Sequence, residues 1–81
     1  MEPAEIKALL LSRLENCDVE VTGDGRHFDL LVIGDIFAGL SPVKKQQLVY
    51  GALRDEIASG TLHAVNMKTL TRAEWAQRQA Q

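Results

Sequence analysis

Two histidines and one cysteine, His27, His63 and Cys17, are the residues of this chain best suited to hold a metal. Tetrahedral ligation by imidazole and thiolate needs four donors, so two imidazoles make only half a site. The missing donors would have to come from another protein or a small thiol. Each residue also has a plainer reading. A histidine at a strand end is commonly solvated or hydrogen-bonded, and a lone cysteine at a helix–strand junction commonly serves as a small semi-buried hydrophobe. Cys17 is open to both readings, as a third ligand or as part of the core.

A second candidate surface is Ser41 with Lys44 and Lys45, near the start of a helix that Pro42 opens. Lysines there oppose the helix dipole. They could face an acidic partner, a phosphate or nucleic acid, or form a solvated polar face. Gly23-Asp24-Gly25 has neither the P-loop lysine nor the dinucleotide-binding glycine spacing and reads as a turn. No nucleophile motif, metal-hydrolase spacing or Ser/His/Asp set occurs, so the chain is expected not to be an enzyme.

Whether the two histidines meet depends on the elements that carry them. Pro3 to Glu15 reads as a helix with Ile6, Leu9, Leu10 and Leu14 as its apolar stripe, ended by Asn16 in a left-handed conformation. Cys17, Val19 and Val21 alternate with polar residues as in a half-buried strand. Gly23 to Arg26 reads as a hairpin turn, and His27 to Ile33 returns as a more central strand. Ser41 is placed as N-cap and Pro42 as the first residue of a helical segment whose core face is Leu48, Val49, Ala52, Leu53 and Ile57. That segment breaks near Arg54–Glu56 and closes at Gly60. Ala64 to Leu70 is a third strand. Thr71-Arg72-Ala73-Glu74 is a capping box opening a short last helix, with Leu70 and Trp75 as its hydrophobic staple. Gln77 to Gln81 reads as a frayed tail.

The order is therefore α-β-β-α-(α)-β-α. The first two strands form an antiparallel hairpin, while a helical crossover makes the second and third parallel. In such a three-stranded mixed sheet, an α/β (α+β) arrangement backed by helices, parallel neighbours begin at the same edge. His27 opens one strand and His63 immediately precedes the other, so both imidazoles are expected at one end of the domain.

With 81 residues, 46% of them hydrophobic and 25% charged, the chain is expected to be one globular domain spanning residues 1–81. Its net charge of −2 counts against a main role in gripping phosphates. No apolar run approaches the roughly 20 residues of a membrane span. The start, Met1-Glu2-Pro3-Ala4-Glu5, is acidic where a signal peptide would be basic, and the single cysteine suits a reducing compartment. A cytoplasmic protein, monomeric when free, is the expectation.

Four segments in order carry a resemblance: Gly23-Asp24-Gly25-Arg26-His27-Phe28, Phe37 to Tyr50 with its Val43-Lys44-Lys45-Gln46-Gln47 run, Leu62-His63-Ala64-Val65, and Thr69 to Trp75. Together they resemble the BolA family, and its bacterial IbaG branch more than BolA itself. The resemblance implies a fold similar to the class II KH domain. It also implies partnership, as a heterodimer, with a monothiol glutaredoxin through a bridging [2Fe–2S] cluster, in iron–sulfur trafficking or iron and redox signalling. His63 matches the family's characteristic ligand and His27 its second ligand. The glutaredoxin cysteine and glutathione would complete the set, and the isolated protein is expected to hold no cluster. Val65 replaces the usual leucine, and the hairpin loop holds no cysteine, which leaves the second ligand to His27 alone. No role passes to Cys17, which lies outside the motif. The family's links to transcription and stress response raise an alternative, nucleic-acid binding through Lys44, Lys45 and Ser41. Gly39-Leu40-Ser41-Pro42 does not, however, supply the Gly-x-x-Gly loop of KH grooves.

Overall fold

The computed structural model describes residues 1–80, and of Ala64 the backbone only. Helix α1 spans Pro3–Arg13, strand β1 Asp18–Gly23, β2 His27–Ile33, helix α2 Pro42–Ala52, α3 Arg54–Ala58, strand β3 Ala64–Leu70 and helix α4 Arg72–Gln79, with a 3-10 turn at Asp35–Phe37. Helix boundaries follow local chemistry. Ser41 Oγ accepts the Lys44 N–H at 3.3 Å, while Pro42 starts α2. At α4 the capping box closes from both sides: Thr71 Oγ1 accepts from Glu74 N at 3.1 Å, and a Glu74 carboxylate oxygen accepts from Thr71 N at 2.8 Å.

The strands form one sheet in the order β1-β2-β3, with β1 antiparallel and β2 parallel to β3. One face carries Val19 from β1 and Phe28, Leu30 and Val32 from β2, all buried. Ile6 and Leu10 of α1, Val49 of α2, Leu53, Phe37 and Leu62 complete this core. On the other face, Glu20, Asp29, Asn66 and Lys68 are exposed, and half-buried Trp75 of α4 lies beside Leu31.

Three boundaries differ from the sequence expectations. α1 ends at Arg13 rather than Glu15, because Leu14 turns extended and buries its side chain, while Asn16 takes the left-handed conformation (φ 55°) two residues later. The helical segment breaks at Leu53 (φ −110°, ψ 16°), which stays fully buried. Ile57, beyond the break, and Leu48, one position round α2 from buried Val49, are both placed in the core by periodicity, yet each is 37% exposed. α4 runs to Gln79 instead of fraying from Gln77, and Gln81 lies outside the described residues.

Ion pairs clamp the helices to one another. Arg13 of α1 pairs with Glu56 of α3 and donates to the Ala52 carbonyl at 2.8 Å, and Lys45 of α2 reaches Glu74 of α4 at 3.3 Å. The Thr71 N–H and then Lys45 hold Glu74 below the usual carboxylate range, and Arg13 does the same for Glu56. A carboxyl depressed in the folded state stabilises fully above the ordinary range and loses that contribution as pH falls through its folded-state value. The thermal midpoint is therefore expected to be level from neutrality to about pH 5 and to fall below it, with Glu74→Gln showing a shallower fall. Circular-dichroism melts across that window check this, and an equally steep fall in Glu74→Gln would contradict it.

Candidate functional site

The parallel register aligns His27 with Ala64, so His63 stands one residue before the partner position. With strands ~4.8 Å apart and a rise of ~3.3 Å per residue, the two histidine Cα atoms are roughly 6 Å apart. Both side chains are exposed. The hairpin holds the first of them. Asp24 Oδ1 accepts from Arg26 N and His27 N, both at 2.9 Å, and Asp24 N donates to the His27 carbonyl at 3.3 Å. These N–H groups, that of His27 foremost, keep the Asp24 carboxyl below its usual range. Only glycine fits before the loop: a Cβ on Gly23 would lie 2.4 Å from the His27 carbonyl oxygen and 2.7 Å from Phe28 Cδ1.

His63 is held from the other side of the crossover. Leu62 is buried and its N–H donates to the Glu56 carbonyl at 3.0 Å, tying the start of β3 to α3. Gly60, with φ +78°, makes the turn between them, and a Cβ there would be 3.9 Å from His63 Cε1. Among the described residues, no group of three or more His, Cys, Asp and Glu side chains is placed to hold a metal ion. The register thus places the two histidines, both exposed, at the same end of β2 and β3.

The other sequence candidates lie at the far end of the sheet. Asp18 pairs with Ile33, and Ile33 with Leu70, which puts Cys17 beside the C-terminal ends of β2 and β3. Six residue steps along β2, about 20 Å, separate that end from His27. Cys17 is therefore no third ligand to the pair. Its thiol is buried, donates to the Glu15 carbonyl at 3.5 Å, and has its pKa raised by burial against the opposing pull of Arg72. Ser41, Lys44 and Lys45 also belong to this end. Ser41 is occupied as a cap, and Lys45 has a side chain only 14% exposed and paired with Glu74, which leaves Lys44 as the exposed lysine of the run.

The BolA-like protein family matches residues 2–74. The chain belongs to the BolA-like family. It is 48% identical over 77 residues to the acid stress protein IbaG of Escherichia coli K12, covering 95% of this chain and 92% of that one. A solved BolA protein homologue from Coxiella burnetii superposes with a TM-score of 0.86 at 31% identity, covering 94% and 97% of the two chains. The DNA-binding transcriptional regulator BolA of Vibrio cholerae is 36% identical over 76 residues, 94% of this chain and 68% of that one.

Two residues of this BolA-like chain matter to the site region or its frame beyond those the sequence singled out. Asp24 organises the hairpin, and an Asp before Gly in a short loop is the available signal for that. Arg72 binds the far end together, donating to Asp18 Oδ2 at 2.8 Å and the Asn16 carbonyl at 3.0 Å, while its own N–H donates to Asp35 at 3.4 Å. Nothing in its local sequence marks Arg72, because its partners come from two distant parts of the chain, Asn16 with Asp18, and Asp35.

Proposed function

We propose that this BolA-like protein is a non-enzymatic partner of a monothiol glutaredoxin and co-ligates a bridging [2Fe–2S] cluster through His63 and His27. The observation that supports this best is the parallel register, which puts two exposed histidines at the same end of β2 and β3. Their number leaves the remaining positions to the glutaredoxin cysteine and glutathione. A [2Fe–2S] cluster supplies irons that accept imidazole in place of thiolate, a change that raises the reduction potential. The chain's own contribution is geometric: parallel pairing sets the separation, the Asp24 loop sets one backbone, and the α3-to-β3 turn sets the other. The family names carried by its relatives describe a stress protein and a regulator rather than a catalyst. The test is a visible absorption and circular-dichroism titration into cluster-loaded monothiol glutaredoxin. A new spectrum that saturates at one-to-one is expected, and an unchanged spectrum discards the reading.

A second reading, nucleic-acid binding, is favoured by the DNA-binding regulator among the relatives. Lys44 would be its contact, with Ser41 and Lys45 beside it. The net charge of −2 and the Lys45–Glu74 pair count against it. Binding that weakens steeply with salt and is lost in Lys44→Ala would support this reading, and no binding at low salt would end it.

A further inference from the structure

We propose that Asp24 is the positioning residue for His27, fixing its backbone so that the imidazole is presented without being held. The inference rests on His27 acting as a ligand. The loop between β1 and β2 is three residues long, and both polar backbone groups of His27 are bound within it. The His27 N–H donates to Asp24 Oδ1 at 2.9 Å, and its carbonyl accepts from Asp24 N at 3.3 Å. The same carboxylate oxygen takes the Arg26 N–H at 2.9 Å, so one atom organises two successive peptide groups. Gly23 leaves no room for a side chain beneath the His27 carbonyl and the Phe28 ring, so the backbone on both sides of the loop is closely packed.

The imidazole itself is exposed, and among the described residues its ring nitrogens engage no hydrogen-bond partner. A fixed backbone with an exposed ring presents the imidazole where a partner's cluster can reach it. Ordering the loop beforehand removes that entropic cost from complex formation. Asp24 touches neither ring nor metal and acts only through the peptide group. Asparagine has an oxygen in the same place, so Asp24→Asn keeps the acceptor and removes the charge, whereas Asp24→Ala removes both.

The experiment compares wild type, Asp24→Ala, Asp24→Asn and His27→Ala. In the free protein, amide hydrogen exchange at Arg26 and His27 is expected to quicken about tenfold or more in Asp24→Ala and to stay near wild type in Asp24→Asn. In the complex with cluster-loaded monothiol glutaredoxin, the visible circular-dichroism spectrum of Asp24→Ala should move toward that of His27→Ala, and Asp24→Asn should restore it. Thermal melts separate unfolding from repositioning, with Asp24→Asn carrying the comparison if Asp24→Ala is not folded. A changed spectrum in His27→Ala beside wild-type spectra and exchange in both Asp24 variants overturns the inference alone. A wild-type spectrum in His27→Ala overturns the ligand assignment and this inference with it.

Discussion

Replacing His63 with alanine is expected to leave the free protein folded and to alter strongly the visible circular-dichroism signature of its complex with cluster-loaded glutaredoxin. The two halves of that result have separate physical causes. His63 is exposed and precedes β3 by one residue, so its removal takes nothing from the core and breaks no sheet pairing. A surface substitution of this kind changes stability by about 0.5 kcal/mol or less. Loss of a metal ligand is a larger matter, because the vacated position must be filled by water or an outside donor. His27→Ala removes the neighbouring imidazole and should alter the same spectrum. Cys17→Ala should leave it unchanged, since the thiol lies at the opposite end of the sheet. A His63→Ala complex with the wild-type spectrum would remove this residue from the ligand set.

The second large effect is a matter of packing at that far end. A Cβ on Gly34 would lie 2.5 Å from Cys17 Sγ, closer than such atoms approach in folded proteins, while its next neighbours are 3.5 Å away. The Gly34 N–H is also committed, donating to the Leu70 carbonyl at 2.9 Å, so the backbone has little freedom to retreat. Gly34→Ala is therefore expected to cost about 1–3 kcal/mol through overpacking. For a domain of this size, that corresponds to a fall of roughly 5–20 °C in the thermal midpoint. Cys17→Ala removes the one clashing atom. The double variant should then be more stable than the sum of the two single losses, with a coupling of about 1 kcal/mol or more. Additive losses in denaturant melts would show that the sulfur is not the obstacle.

Much of the frame was legible because its signals are local. The Thr71–Glu74 capping box, Pro42 after Ser41, the Asp-Gly hairpin and the alternation of β1 each depend on a few adjacent residues, and each element formed where those residues placed it. The parallel pairing of β2 with β3 followed from the helical crossover and brought the edge carrying both histidines into view. Helix packing was less legible. Ile57 keeps the spacing of Val49 and Leu53, but the break at Leu53 depends on how that residue is held by the core, which spacing does not encode. The roles of Lys45 and Cys17 were likewise settled by distant partners, Glu74 for one and Gly34 with Arg72 for the other. Of the candidate site, the residues could be named from sequence. The stagger was legible from where the two strands begin, whereas the binding of both Arg26 and His27 N–H groups by one Asp24 oxygen was not, because it depends on the loop's own backbone conformation.

The most direct test of the shared ligation is pulsed electron paramagnetic resonance on the reduced complex, with this chain alone carrying nitrogen-15 histidine. The account predicts hyperfine coupling to two labelled nitrogens, one missing in His63→Ala and the other missing in His27→Ala. A cluster-bearing complex with no coupling to labelled histidine would contradict it.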